Sequence, residues 1–235
     1  LDNLVNVQAG MIGYVNDFKL MLIMTPGLLL LGTLMFWLLE HNNPGTLGKV
    51  SFGGQWLAAF FQSASARTAG FNTIDIGLMT PAALLFLMML MFIGAGATST
   101  GGGIKVTTFA VVLLATKAFL TKRPHVTAFG RTLSSQIVTR SLAIIMVSTM
   151  VLMLAMFLLM LTEQLPFDKI MFETISAFAT VGLSTGITAT LSEPGKLILV
   201  LVMICGRLGP LTLAFMLARP VETRIKYPEE TVYTG

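Results

Sequence analysis

Charge is scarce in this chain: Asp, Glu, Lys and Arg make up only 11% of its 235 residues. A soluble domain carries about 25% charged residues, whereas 54% of this sequence is hydrophobic and its mean hydropathy is +0.82. The basic residues cluster between apolar runs instead of covering a soluble face. The composition therefore predicts an integral protein of the lipid bilayer and excludes nucleic acid as a partner.

Cysteine and histidine are nearly absent as well. The single cysteine, Cys205, excludes an internal disulfide and any metal site built from several thiolates, and its apolar neighbours in the sequence predict an inert side chain. The two histidines, His41 and His125, stand alone in polar stretches. Since no cluster of His, Cys, Asp or Glu is expected to face one cavity, the sequence predicts neither a resident cofactor nor an enzyme active site.

Two short polar segments interrupt the apolar runs and resemble each other. Residues 65–73 read SARTAGFNT and residues 176–185 read SAFATVGLST, and each contains one central glycine. Matching glycines are 112 positions apart: Gly70 with Gly182, and Gly94 with Gly206. Self-similarity of this kind indicates an internal repeat, and transporters are commonly built from repeats.

The repeat unit is expected to be a membrane helix, a pore loop and a second membrane helix. Apolar runs at residues 19–39 and 137–161 are long enough to span a bilayer, whereas residues 52–64 and 169–178 are too short and fit re-entrant helices. The predicted fold class is therefore an all-α polytopic membrane protein with a potassium-channel-like pore. The expected parts are residues 1–17, the end of a preceding repeat, a loop or the start of a helix; 18–120, the first repeat, with an interrupted second helix; 121–136, a basic linker; 137–218, the second repeat; and 219–235, a tail.

Basic residues set the expected orientation. The stretch from residue 117 to 140 holds five Lys or Arg and no Asp or Glu, so the positive-inside rule places it and the tail in the cytoplasm. The loops at residues 40–51 and 162–168 then face outward, and Trp37 and Trp56 near that boundary fit interfacial anchors. We expect a multi-pass protein of the cell (plasma) membrane, which in a bacterium is the inner membrane.

The chemistry of the two polar segments suits a monovalent cation. A selective pore replaces the oxygens of an ion's water shell with protein oxygens of comparable energy, and the segments offer carbonyls and a threonine hydroxyl without any carboxylate. Their glycines permit positive φ angles, and the preceding short helices point the negative ends of their dipoles toward them. The predicted K⁺ ligands are Thr68, Ala69, Gly70 and Phe71 in the first segment and Thr180, Val181, Gly182 and Leu183 in the second.

Ten small residues, GAGATSTGGG at positions 94–103, break the second helix of the first repeat. A phosphate-binding loop would need a lysine where Gly102 stands, so nucleotide binding is not expected there. The stretch predicts either a flexible plug near the ion path or a simple helix kink.

Four motifs occur in a characteristic order: ARTAGFNT at 66–73, STGGGIK at 99–105, FATVGLS at 178–184 and GRLGPLT at 206–212. Together they resemble the Trk/Ktr/HKT superfamily of potassium transporters, in particular the membrane subunits of bacterial Ktr systems. The resemblance extends over nearly the whole chain and matches the third and fourth of that family's four repeats. It implies a fragment, because two repeats cannot enclose a pore axis. The other two would come from upstream sequence or from a second chain.

The resemblance implies potassium uptake, in a channel-like or a symport mode, with Na⁺ as a coupling or activating ion. It also implies a homodimer with one pore per subunit and a cytosolic, nucleotide-binding regulatory ring of the KtrA type. In the family, the intramembrane loop is a gate below the filter, and the arginine at the position of Arg207 lies near it. The gate residues that the resemblance implies here are Gly94, Gly96, Thr98, Ser99, Thr100, Gly101, Gly102, Gly103, Lys105 and Arg207. The family's Ser-Pro-Gly-Ser-Thr reads Ala97-Thr98-Ser99-Thr100 here, without the proline.

Three charged residues are predicted at membrane depth. Arg207 either bonds to the loop at 94–103 and opposes cation passage, or extends to the cytoplasmic surface as a helix-end arginine. Arg67 and Glu173 are expected to pair across the repeats as a scaffold behind the filter. The alternative function for the whole chain is a non-conducting membrane scaffold or assembly subunit.

Overall fold

The computed structural model describes residues 2–96 and 101–209. In chain order its elements are α1 (Asp2–Glu40), α2 (Phe52–Ser65), α3 (Pro81–Phe92), α4 (Val106–Leu120), β1 (Thr127–Ala128), β2 (Arg131–Thr132), α5 (Ser135–Thr162), α6 (Phe167–Phe178) and α7 (Glu193–Leu208), with 3₁₀ turns at Ile76–Leu78 and Thr188–Thr190. By length and composition, the segments Asp17–Glu40 and Ser135–Thr162 could cross a membrane.

Helix α1 begins earlier than the apolar run that predicts it. Its backbone is helical from Asp2, so residues 1–17, for which a loop was one expectation, are helical from residue 2 onward. The helix also continues through Pro26, whose ring removes one backbone hydrogen bond. Continuation is favoured in a bilayer because a helix satisfies nearly all of its backbone groups within the segment.

Equivalent caps hold the second helix of each repeat. Thr80 caps α3 by accepting a hydrogen bond from the backbone of Ala83, and Ser192 caps α7 in the same way. A glutamate at the end of the preceding long helix binds each cap. Glu40 accepts from the Thr80 backbone N–H at 2.8 Å, and Glu163 accepts from the Ser192 backbone N–H at 3.2 Å. The end of α1 is thus joined to the start of α3, and the end of α5 to the start of α7, in the same way.

The apolar core surrounds the two short helices. One cluster joins α1, α3 and α6 through Phe36, Leu87, Met91 and Phe172, and it includes Val181 of the second polar segment. A second cluster joins α5, α6 and α7. Outside the core, α5 leaves many large apolar side chains exposed, as expected of a helix that faces lipid. The core therefore fixes the short helices, and the long helix α5 lies at the periphery.

The basic linker contains the exception to the all-α expectation. Strands β1 and β2 form a hairpin in which Thr127 pairs with Thr132 and Ala128 with Arg131. Phe129 and Gly130 connect the strands with φ angles of 49° and 76°, the combination found in a type I′ turn. The all-α prediction is therefore incomplete for residues 121–136.

Some predicted features fall outside the described residues. They include the gate residues Thr98, Ser99 and Thr100, the end of the second repeat from residue 210, and the tail at 219–235. Helix α7 ends at Leu208, and Gly209 follows it with a φ of 84°.

Candidate functional site

The two polar segments lie side by side at their glycines. A Cβ atom added to Gly70 would lie 2.2 Å from the carbonyl oxygen of Val181 and 3.4 Å from the Cα atom of Gly182. A Cβ atom added to Gly182 would lie 3.6 Å from the Cα atom of Gly70. The structure therefore brings the centres of the two predicted filter segments into direct contact, although they are 112 positions apart in the sequence.

Both segments share an unusual backbone conformation. Thr68 and Gly70 have φ angles of 69° and 75°, and Thr180 and Gly182 have φ angles of 51° and 93°. A left-handed conformation costs a β-branched residue about 1–3 kcal/mol. In an extended strand, successive peptide groups face opposite sides. Here the backbone N–H groups of Ala69 and Gly70 both donate to the Ser65 carbonyl, so the carbonyls of Thr68 and Ala69, which belong to the same peptide groups, both face away from it. The same costly geometry occurs at the same positions in both repeats.

A serine at the end of each short helix binds the far end of its segment. Ser65 donates from its hydroxyl to the Phe71 carbonyl, and Ser176 donates to the Leu183 carbonyl at 2.6 Å. Each segment therefore curls back onto its own helix. No role was predicted for these serines, although both polar segments begin with the same pair of residues, Ser-Ala, which could have pointed to a shared task.

Backbone hydrogen bonds join the two ends of the glycine-rich loop at residues 94–103. Gly94 donates to the Ile104 carbonyl at 2.8 Å, and Ile104 donates to the Phe92 carbonyl at 3.1 Å. A Cβ atom on Gly94 would lie 2.1 Å from the carbonyl oxygen of Gly102. The residues that follow α3 therefore lie next to the residues that precede α4. Small side chains are needed where these two arms of the loop touch.

The returning arm of this loop packs against both predicted filter threonines. The Gly102 backbone N–H donates to the Thr180 hydroxyl at 3.1 Å. A Cβ atom on Gly101 would lie 3.1 Å from the hydroxyl oxygen of Thr68. Two sets of residues that the sequence singled out separately, the loop glycines and the segment threonines, therefore form one site.

Three cations surround this site. The Lys105 ammonium donates to the Gly101 carbonyl, and the Arg67 guanidinium donates to the Gly94 carbonyl at 3.4 Å. Arg207 is exposed in the last turn of α7, close enough to Lys105 for the two charges to repel. It makes no side-chain hydrogen bond to residues 94–96 or 101–105, the part of the loop that the structure describes.

The expected pairing of Arg67 with Glu173 is wrong. Glu173 accepts hydrogen bonds from Ser184, Thr185 and Thr188, all in its own repeat. Arg67 points to the loop instead, and its second terminal nitrogen is buried without a hydrogen-bond partner in the described part of the chain. The pairing fails because hydroxyl and backbone donors close to Glu173 in the sequence already satisfy its carboxylate.

The atoms that could coordinate an ion at this site are mainly oxygens. Within residues 2–96 and 101–209, no three His, Cys, Asp or Glu side chains gather in the way a metal centre requires. At the contact between the segments and the loop lie backbone carbonyls, the hydroxyls of Thr68 and Thr180, and the Gly102 N–H that donates to Thr180. Such oxygens suit a weakly held monovalent cation.

Comparison with known proteins identifies the family. The family model of TrkH, a cation transport protein, matches residues 7–226. The chain is 66% identical to Ktr system potassium uptake protein B of Vibrio alginolyticus, over 92% of this chain and 48% of that protein. It is 43% identical to the protein of the same name from Bacillus subtilis, over 92% of this chain and 49% of that one. These relatives are named as uptake proteins and not as enzymes.

A solved structure shares the fold. The crystal structure of the potassium transporter TrkH from Vibrio parahaemolyticus matches with a TM-score of 0.69, over 86% of this chain and 44% of that chain, at 22% sequence identity. The chain spans about half the length of the curated relatives it matches. Since the family match covers nearly all of the sequence, the chain belongs to the TrkH family of cation transport proteins.

Proposed function

We propose that this chain supplies half of a potassium-selective pore and that its two polar segments form part of the selectivity filter. The observation that carries the proposal is the matched left-handed geometry of Thr68, Gly70, Thr180 and Gly182 in two segments that touch at their glycines. Neighbouring carbonyls that face the same way can replace the water oxygens of a K⁺ ion. The C-terminal ends of α2 and α6 precede the segments, where their dipoles favour a cation.

The ligands of the proposed filter fall into two groups. The inner group comprises Thr68, Ala69 and Gly70 together with Thr180, Val181 and Gly182. Phe71 and Leu183 form the outer ends, where one lone pair of each carbonyl already accepts a hydrogen bond from a serine. K⁺ is the substrate in this proposal, and Na⁺ is a coupling or activating ion.

A complete pore needs two further units of the same kind. The relatives are about twice as long as this chain, and upstream sequence or a second chain would supply the missing units. The Ktr system name of two relatives supports additional subunits. We also propose that the complete protein is a homodimer in a bacterial inner membrane and binds a cytosolic, nucleotide-binding regulatory ring of the KtrA type.

The test of the proposal is ion flux. The complete transporter, in which this chain is joined to the remaining units, is reconstituted into liposomes, and uptake of Rb⁺ and Na⁺ is measured. We expect selective Rb⁺ uptake by the complete protein and none by this chain alone. Absence of selective uptake by the complete protein would favour the alternative, a non-conducting scaffold or assembly subunit.

The intramembrane loop is the proposed gate, and Gly102→Ala tests its contact with the filter. The added methyl group would lie 2.7 Å from the Thr180 hydroxyl oxygen and 2.9 Å from the Ala179 carbonyl oxygen, so the loop must move away from the filter. We expect a several-fold higher basal Rb⁺ flux. Gly53→Ala is the matched control, because nothing lies within 4 Å of the added atom. Basal flux at the parental value in Gly102→Ala would contradict the gate assignment.

Arg207 is the proposed electrostatic part of the same gate. Its charge repels that of Lys105, which is bound to the loop, so both charges oppose a cation nearby. We expect Arg207→Ala to raise leak flux of Rb⁺ in the complete transporter, whereas Lys196→Ala at the exposed start of the same helix should not. Unchanged leak would leave Arg207 as a helix-end arginine that extends to the cytoplasmic surface.

A further inference from the structure

Glu173 is a buried carboxylate on α6 that holds the chain just beyond the second polar segment. Its side chain is 5% exposed. Its Oε1 atom accepts from the Ser184 hydroxyl at 2.6 Å and from the Thr185 backbone N–H at 2.9 Å, and its Oε2 atom accepts from the Thr188 hydroxyl at 2.7 Å. The Thr185 hydroxyl adds a contact to Oε1 at 3.2 Å. All of these donors lie in residues 184–188.

The hydrogen bonds to Glu173 are strong, and no ion pair to a basic side chain takes their place in the described part of the chain. No Lys, Arg or His pairs with it in the described ranges, where the single ion pair joins Lys196 to Glu193. A buried carboxylate is costly unless hydrogen bonds satisfy it, and bonds to a charged acceptor are about twice as strong as neutral ones. A cavity of about 290 Å³ borders the cluster and is lined by Glu173, Gly182, Ser184 and Thr188. On that side, hydrogen bonds to Glu173 hold Ser184 and Thr188, whereas Ile187 in the same stretch is buried by packing.

The first repeat lacks this arrangement. Ser65 and Ser176, which bind their segments in the same way, differ by one position from the spacing of the glycines. With that offset, Gln62 is the counterpart of Glu173. Gln62 is completely buried, and neither its Oε1 nor its Nε2 atom has a hydrogen-bond partner in the part of the chain that the structure describes. After the first segment, Asn72 donates to the nearby Ile74 carbonyl.

We propose that Glu173 is a positioning residue that fixes the second segment relative to α6, and that the ion preference of the pore depends on it but not on Gln62. This inference rests on the filter proposed above. Leu183 is held by Ser176 on one side, and the residues that follow are held by Glu173, while Phe172 and Phe178 anchor α6 in the core. A segment fixed at this spacing keeps its oxygens at distances that suit K⁺. A loosened segment can contract around the smaller Na⁺.

Glu173→Ala in the complete transporter tests the inference. We expect the ratio of K⁺ to Na⁺ uptake to fall by roughly tenfold, the equivalent of one charge-assisted hydrogen bond, at an unchanged amount of folded protein. Glu173→Gln keeps the shape and loses the charge, so it should retain part of the ratio. The matched control is Gln62→Leu, which keeps the site filled in the first repeat and should leave the ratio unchanged.

The outcomes separate this inference from the proposed function. A parental ratio in Glu173→Ala, together with a reduced ratio in Gly182→Ser, would overturn the inference alone. An equal loss in Gln62→Leu would overturn it as well, because a buried side chain that makes no hydrogen bonds in the described part of the chain would then matter as much as Glu173. If Glu173→Ala fails to fold, a parental ratio in Glu173→Gln overturns it. Unchanged ratios in both Gly70→Ser and Gly182→Ser would remove the filter itself.

Discussion

Gly182→Ser is expected to lower the preference of the complete transporter for K⁺ over Na⁺ by tenfold or more, and Gly70→Ser is expected to lower it further. Gly182 has a φ of 93° and Gly70 a φ of 75°, conformations that cost a residue with a Cβ atom about 1–3 kcal/mol. At Gly70 the added Cβ atom would also lie 2.2 Å from the Val181 carbonyl oxygen. Because that oxygen is a proposed ligand, the substitution displaces the ion site directly.

The measurement is uptake of K⁺ and Na⁺ by cells that lack other potassium transporters, supported by growth at low K⁺. Gly53→Ser is the control, since Gly53 lies on α2, outside the filter segments, and its Cβ position is open. A lower preference in both variants, with a parental preference in the control, is the expected pattern. A normal ratio in both filter variants would contradict the assignment of the filter.

Gly206→Ala should prevent α7 from packing against the end of α6. The added Cβ atom would lie 1.7 Å from the carbonyl oxygen of Phe178 and 2.6 Å from its carbonyl carbon. Backbone atoms cannot rotate away as a flexible side chain can, so the helices must separate. Overpacking of this kind costs about 1–3 kcal/mol or more. We expect less folded protein in the membrane and a lower temperature of thermal unfolding in detergent.

The control for Gly206→Ala is Gly27→Ala on α1, where nothing lies within 4 Å of the added atom. Alanine favours a helix more than glycine does, so this variant should unfold at or slightly above the parental temperature. Parental unfolding of Gly206→Ala would mean that α7 does not approach Phe178 closely in the folded protein.

The sequence predicted those elements whose signals are local. The short helices expected at residues 52–64 and 169–178 are seen at Phe52–Ser65 and Phe167–Phe178, because polar or proline-containing stretches interrupt the apolar runs on both sides. The break in the second helix lies between Phe92 and Val106, where ten consecutive small residues cannot continue a stable helix. Each of these predictions needed only composition over a short window.

The remaining features depend on contacts between distant residues. The sequence predicts an arginine partner for Glu173. Its donors are instead Ser184 and Thr185, because the chain after Gly182 returns to α6. The bond from Gly102 to the Thr180 hydroxyl joins residues 78 positions apart. Glu40 and Glu163 each bind the cap of a later helix, α3 or α7. They do not share the 112-residue spacing, because the loops that follow α1 and α5 differ in length. Comparison of the two repeats by spacing alone could not find them.

The two glutamates that bind the helix caps determine which end of the molecule is free to rearrange. Glu40 holds the start of α3 and Glu163 holds the start of α7, so both second helices are anchored at the same end of their repeats. The glycine-rich break lies at the opposite end of α3. If the proposed gate opens at this break, α4 would move while the ends of α3 and α7 that Glu40 and Glu163 hold keep their positions. A blocker that binds at those held ends would then meet the same surface whether the proposed gate is open or closed.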